Sequence, residues 1–191
     1  MGEPRFYLAL LHNPVYNKRM EVITTTVTNF DLHDIARSSK TYDVNKYYIV
    51  NHLDSQQKLV GRMKEYWSGD FGAEYNPDRK EAFSILDIKA ELTEVIADIK
   101  SIEKEEPILI TTDARTYPNT ITYKDLREKI HSGDRPYLVL LGTGWGLTKE
   151  VMNSTEYILE PIYGRGDYNH LSVRSAAAII LDRLLGESWF S

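Results

Sequence analysis

Short, unbroken apolar runs alternate with longer stretches of helical periodicity, and that alternation constrains the fold of this chain more than any other feature. Six runs read as strands: 6–11 (FYLALL), 22–28 (VITTTVT), 46–50 (KYYIV), 107–112 (PILITT), 137–142 (YLVLLG) and 157–162 (YILEPI). Most lack the apolar–polar alternation of a strand with one wet face. Both faces must then be covered, as in a parallel sheet clad by helices. Helices are predicted at about 32–42, 55–68, 78–86, 89–104, 122–132 and 171–185. This order is that of an α/β fold with a mostly parallel sheet flanked by helices. No repeat, low-complexity segment or linker interrupts it, so residues 1–191 are expected to form a single domain.

Composition narrows the chemistry. The 191 residues include no cysteine, which removes disulfides, thiolate metal sites and thiol nucleophiles and makes a cytoplasmic setting the default. The five histidines, at 12, 33, 52, 131 and 170, show no H-x-x-x-H spacing, so no metal is expected. No window approaches the ~18 apolar residues of a membrane span, and the opening FYLALL is too short for a secretory core. The net charge of −5 argues against a nonspecific polyanion binder but leaves room for a local basic cleft. The EKEE run at 103–106 reads as a solvated face. The irregular stretch 66–83 reads as a structured loop feeding a short helix, either a lid or a surface connection with aromatic packing.

Three stretches could carry function. In YLVLLGTGWGLTKEV (137–151), an apolar strand runs into glycines at 142, 144 and 146. Gly144 and Gly146 can take positive φ and allow a flat group close to main chain. The turn lacks the lysine of a P-loop, and its spacing is not G-x-G-x-x-G. It is either a ligand loop or a plain strand-to-helix turn. In 158–186, a strand ends near Pro161 and a glycine-containing loop leads through Asn169, His170, Leu171 and Ser172 into a helix of small residues. Those small residues permit close approach of a neighbouring helix or of a ligand. In 28–50, Asp31 followed by Asp34 reads as a capped helix start, and Arg37 lies three residues on, where an Asp34–Arg37 pair is one reading.

Taken together, the order strand, LLGTGWGL, strand, EPIYG, loop, NHLSVRSAAAIILDRLL resembles the C-terminal half of the SPOUT methyltransferases. That family binds S-adenosylmethionine (SAM) in a deep trefoil knot. The resemblance implies such a region over about 107–191. Threaded chains are rare, so the knot is expected from the resemblance alone. It implies cofactor contacts from Leu141, Gly142, Thr143, Gly144 and Gly146 on one loop and from Glu160, Ile162 and Gly164 on the next. Asn169, His170, Leu171, Ser172 and Ala176 supply the third, with Thr112 at an earlier strand tip.

Upstream, HDIARSSKTY is similar to the first motif of the ribose-methylating branch, which makes Arg37 the candidate catalytic residue. His170 is a second candidate, as an imidazole proton acceptor or as a helix-start residue that caps or binds ligand. That branch has Glu where this chain has Gly144 and Asn where it has His170, which bears on the acceptor atom rather than on the cofactor. The fuller pattern most resembles a small bacterial group of SPOUT proteins known only as presumed RNA methyltransferases. The resemblance therefore implies a SAM-dependent methyltransferase acting on tRNA or rRNA, with a ribose 2'-hydroxyl as one acceptor and S-adenosylhomocysteine (SAH) as product. It also implies a homodimer. Lys18, Arg19, Lys40 and Arg165 read either as backbone-phosphate contacts or as solvated surface charges. The alternatives are a SAM-binding regulatory protein, a methyltransferase with a non-RNA substrate, and a dinucleotide-binding enzyme.

Overall fold

The structure, a computed structural model, describes residues 3–166 and 168–187. In chain order the strands are β1 (Phe6–Leu11), β2 (Val15–Tyr16), β3 (Val22–Ile23), β4 (Lys46–Val50), β5 (Leu86–Lys89), β6 (Ile108–Thr112), β7 (Thr120–Ile121), β8 (Tyr137–Gly142) and β9 (Tyr157–Leu159). The helices are α1 (Asn29–Thr41), α2 (Asp54–Ser68), α3 (Asp70–Tyr75), α4 (Pro77–Ser84), α5 (Leu92–Glu103), α6 (Tyr123–Ser132), α7 (Lys149–Asn153) and α8 (Val173–Leu185).

Seven strands form one sheet in the order β5-β4-β1-β8-β6-β9-β7, and every pairing in it is parallel. β1 lies near the middle, and all six of its side chains are buried. Its alternate residues divide between two cores. Phe6, Leu8 and Leu10 pack with Leu32, Ile35, Leu181 and Leu184 of α1 and α8. Tyr7, Ala9 and Leu11 face Val95 and Ile99 of α5 and Val151 and Met152 of α7. The unbroken apolar run is thus the product of period-two side-chain alternation with helices on both faces.

β9 fills the gap between β6 and β7, so the loop 113–119 joining those two strands must span it. Ile158 N–H donates to the Asn119 carbonyl within this arch. Beyond β9, Pro161 supplies no ladder N–H, and the predicted strand 157–162 stops at Leu159.

Other expectations shift for identifiable reasons. Of 22–28, only Val22–Ile23 is strand, and it pairs antiparallel with β2 in a hairpin apart from the large sheet. The remaining residues turn toward α1, where Thr28 is the cap: its hydroxyl oxygen accepts the Asp31 N–H at 3.2 Å. Asp31 is therefore the third helical residue, not the cap. Asp34 pairs with Arg174 of α8 at 3.1 Å rather than with Arg37. The short edge strands β5 and β7 were absent from the sequence reading, the first falling where two helices were drawn. Residues 66–83 become the end of α2, then α3 and most of α4, with Trp67 buried beside His33 and Phe83. The EKEE run is not simply a wet face, because Glu103 accepts from the buried Tyr7 hydroxyl and pairs with Arg5 at 3.4 Å.

Candidate functional site

A cleft of about 830 Å³ opens where β1, β6, β8 and β9 end together at their C-terminal edge. Parallel pairing puts those four strand ends on one side, the usual ligand edge of an open α/β sheet. Leu141, Leu159 and Ile180 supply apolar lining, and the rest comes from the strand tips, the loops beyond them and the first turns of α1, α6 and α8. Its volume is within the range of small-ligand sites.

The glycine turn is braced by the β2–β3 hairpin. Tyr16 N–H donates to the Gly146 carbonyl at 2.9 Å, and Trp145 N–H donates to the Tyr16 carbonyl at 2.8 Å. Gly144 has φ +60°, and a β-carbon there would lie 2.7 Å from the Tyr16 carbonyl oxygen. A β-carbon at Gly142 would press on Leu147 at 2.9 Å. At both positions an added β-carbon would meet protein. Gly146 differs: its φ is +101°, and a β-carbon would meet nothing within 4 Å. The three glycines answer different steric demands within one turn.

A hydroxyl relay lies beneath that turn. Thr143 Oγ1 donates to the Leu11 carbonyl at 3.1 Å and is 2.5 Å from Thr25 Oγ1, which in turn is 2.9 Å from His12 Nδ1. With the Thr143 hydrogen committed to Leu11, Thr25 donates to Thr143 and accepts from His12 Nδ1–H. His12 Nε2 is then an acceptor, and no described residue reaches it. Burial alone pushes the His12 imidazole down to about 4, so it is neutral at ordinary pH.

On the facing lip, burial would raise the Asp113 carboxyl, but the Arg115 guanidinium holds it below the usual range through contacts of 2.9 and 3.0 Å. Burial pushes the Tyr123 phenol up to about 12. Glu160 Oε1 accepts Tyr123 N–H at 2.6 Å, and Asn169 Nδ2 donates to the Ala114 carbonyl at 3.0 Å. Ser172 caps α8 by accepting the Ser175 N–H.

Of the residues expected to contact a cofactor, Thr112, Leu141, Gly142, Thr143, Gly144, Gly146, Glu160, Ile162, Asn169, His170, Leu171, Ser172 and Ala176 all line this cleft. Gly164 is exposed outside it. Arg37 is also outside, exposed on α1, and no described residue pairs with it. Lys18 and Arg19 are exposed at the hairpin tip beside Met20, which lines the cleft. Lys40 pairs with Glu81 at 3.3 Å, and Arg165 is exposed. No described side chain from 66–83 borders the cleft, which leaves the surface-connection reading of that stretch. Sequence reasoning missed Met20, Thr25, Thr26, Thr28, Asp31, Asp113, Ala114, Arg115 and Tyr123 in the lining. The clue available for the first group was the Thr-rich run 24–26, with too many hydroxyls for a two-sided core strand.

The sequence profile of a family described as SAM-dependent RNA methyltransferase matches residues 5–186. An uncharacterized protein of Aquifex aeolicus is 48% identical over 95% of this chain and 89% of its own length. A tRNA (guanine-N(1)-)-methyltransferase of Oleidesulfovibrio alaskensis is 37% identical over 95% of this chain. The chain spans only 42% of that relative's length. Among solved structures, the SpoU methyltransferase AviRb of Streptomyces viridochromogenes with AdoMet has a TM-score of 0.61, at 15% identity over 97% of this chain and 58% of its own. An AdoMet-bound rRNA methyltransferase of Sinorhizobium meliloti has a TM-score of 0.56, at 16% identity over 96% of this chain and 56% of its own. At those identities the likeness is one of fold.

Proposed function

Starting from a chain that belongs to the SAM-dependent RNA methyltransferase family and has the SPOUT fold, we propose that the cleft at the strand ends binds SAM and methylates RNA. The convergence of thirteen expected contact residues on one cavity carries this reading. Apolar Leu141, Leu159 and Ile180, the small Ala176, and main chain at Thr112, Gly146 and Ile162 suit a flat nucleoside better than a phosphate. The arch 113–119 over β9 is consistent with the knot we assign to 107–191, with 1–191 acting as one unit.

SAM supplies an electrophilic methyl group on a sulfonium, so the chain must position an acceptor and manage one proton. In this reading the acceptor is a ribose 2'-hydroxyl of tRNA or rRNA. His170, exposed on the cleft lip, takes its proton through an imidazole nitrogen. The Arg37 guanidinium favours the alkoxide. Because Arg37 lies outside its own cleft, it serves the cleft of a partner subunit in a homodimer. Lys18, Arg19 and Arg165 contact RNA phosphates. Lys40, already paired with Glu81, is the weakest of the four. No helix of the described residues is long and apolar enough to cross a membrane, and we place the reaction in the cytoplasm.

Isothermal titration with SAH tests the reading. The expected result is saturable binding near one per chain, lost in Ala176→Phe, with no heat from NAD. Folded wild-type protein that binds neither SAH nor SAM would overturn it.

A further inference from the structure

We propose that the lips of the cleft form a base-stacking platform for unpaired RNA, built from Trp145 on one side and Tyr163 and Tyr168 on the other. This rests on the RNA-methylation reading of the same cleft. The three rings are 60%, 61% and 76% exposed. With Met20, Phe30 and Leu171, they make up half of the large exposed apolar residues among the described residues, all on segments that border this one cleft. The others are spread over β3, α2, α3 and α5 and their flanks. Single exposed apolar residues are ordinary, whereas a cluster around a cleft marks an interaction site.

Slack loops do not account for the exposure, because each ring sits on a braced backbone or is tied down itself. Trp145 N–H donates to the Tyr16 carbonyl, and Gly146 N–H donates to the Thr143 carbonyl at 3.1 Å. Tyr163 Oη is 3.0 Å from Thr116 Oγ1, which pins it to the arch over β9. Tyr168 meets the His170 ring edge-to-face at 5.6 Å, and neighbouring Asn169 is fastened to Ala114. The rings are held in place while most of their surface stays in solvent.

Cations stand among them: Lys18 and Arg19 beside Met20, and Arg165 with the tyrosines, together with Arg115, whose side chain is 65% exposed while it pairs with Asp113. Arginine and aromatic rings also occur in protein–protein interfaces, so the RNA-methylation reading of this cleft decides the kind of partner. Aromatic rings interleaved with cations match single-stranded nucleic acid, where bases stack on rings and phosphates meet Lys and Arg. A duplex keeps its base faces inside the helix and cannot use such a platform.

The experiment measures binding of a short unstructured oligoribonucleotide and of an RNA duplex of the same length, by fluorescence anisotropy. Wild type is expected to prefer the unpaired strand. Trp145→Ala and Tyr163→Ala/Tyr168→Ala should weaken that binding by roughly 5- to 150-fold per lost stack. Trp145→Phe and Tyr163→Phe/Tyr168→Phe should retain most of it. The tyrosine side chains do not line the cleft, so their alanine variant should still bind SAH. Equal affinity for duplex and single strand, or alanine variants that bind RNA as wild type does, would overturn the platform alone. So would loss of a dimer in the tyrosine variant by light scattering, which would assign the rings to a subunit contact. Failure of wild type to bind SAH would overturn the methylation reading and the platform with it.

Discussion

Gly144→Ala is a sharp test of how the glycine turn is built. The new β-carbon would lie 2.7 Å from the Tyr16 carbonyl oxygen, which is backbone and cannot rotate aside. The hairpin must then move away from the turn. That motion breaks Trp145 N–H to Tyr16 O and Tyr16 N–H to Gly146 O, at about 1 kcal/mol each. Alanine at φ +60° adds about 1–2 kcal/mol of left-handed strain, for a total of roughly 3–4 kcal/mol. Gly146→Ala is the matched control, since it has positive φ but open space around its β-carbon. It should cost only the strain, about 1–2 kcal/mol. For a chain of this length, Tm should fall by roughly 10 °C in the first variant and about 4 °C in the second. Urea unfolding of both proteins supplies the free energies. If Gly144→Ala is no less stable than Gly146→Ala, the Tyr16 carbonyl does not sit where the structure puts it. The same geometry makes Gly144 a poor probe of ligand binding, because a larger residue dislodges protein before it meets a ligand.

Further outcomes follow from other sites. His12 is neutral when folded and titrates near 4, against 6.5 ordinarily, so the unfolded chain binds more protons at acid pH. The associated stability is full above pH 6.5 and is lost as pH falls toward 4, a change of about 3 kcal/mol. His12→Asn should flatten that acid limb in urea titrations at pH 7 and 4.5; an unchanged limb would refute the assignment. Thr28→Ala removes the α1 cap and should cost about 1 kcal/mol by the same assay, whereas no loss would restore Asp31 as the cap. Arg37→Ala should leave stability within about 0.5 kcal/mol, because the side chain is exposed. It should leave SAH affinity intact yet lower turnover by ~10²–10³ on a methylated RNA; unaltered turnover would remove Arg37 from the chemistry.

Much of this protein could be read from neighbours along the chain. The runs 6–11, 46–50 and 137–142 are apolar apart from Lys46 because both of their faces are covered, and their ends fall where predicted. The small residues before and within α8 and the glycines after β8 pointed to loops that do line one cleft. β5 and β7 escaped notice because four- and two-residue edge strands carry too few side chains to show a period.

The rest depended on which segments meet. Asp34 finds Arg174 and Thr25 finds Thr143, 140 and 118 residues away. Gly144 reads from sequence as part of a ligand loop or of a plain turn, and the structure adds that a hairpin carbonyl stands where its β-carbon would be. Arg37 reads as catalytic by resemblance, yet α1 presents it to solvent outside its own cleft. The strand runs 6–11, 46–50 and 137–142 are decided by side-chain pattern within a few residues, so sequence determined them, whereas the α1 cap lies three residues before the one expected. The strand order β5-β4-β1-β8-β6-β9-β7 decided everything that crosses the sheet. Those contacts depend on which distant backbones pack together, a matter that no local stretch of side chains encodes.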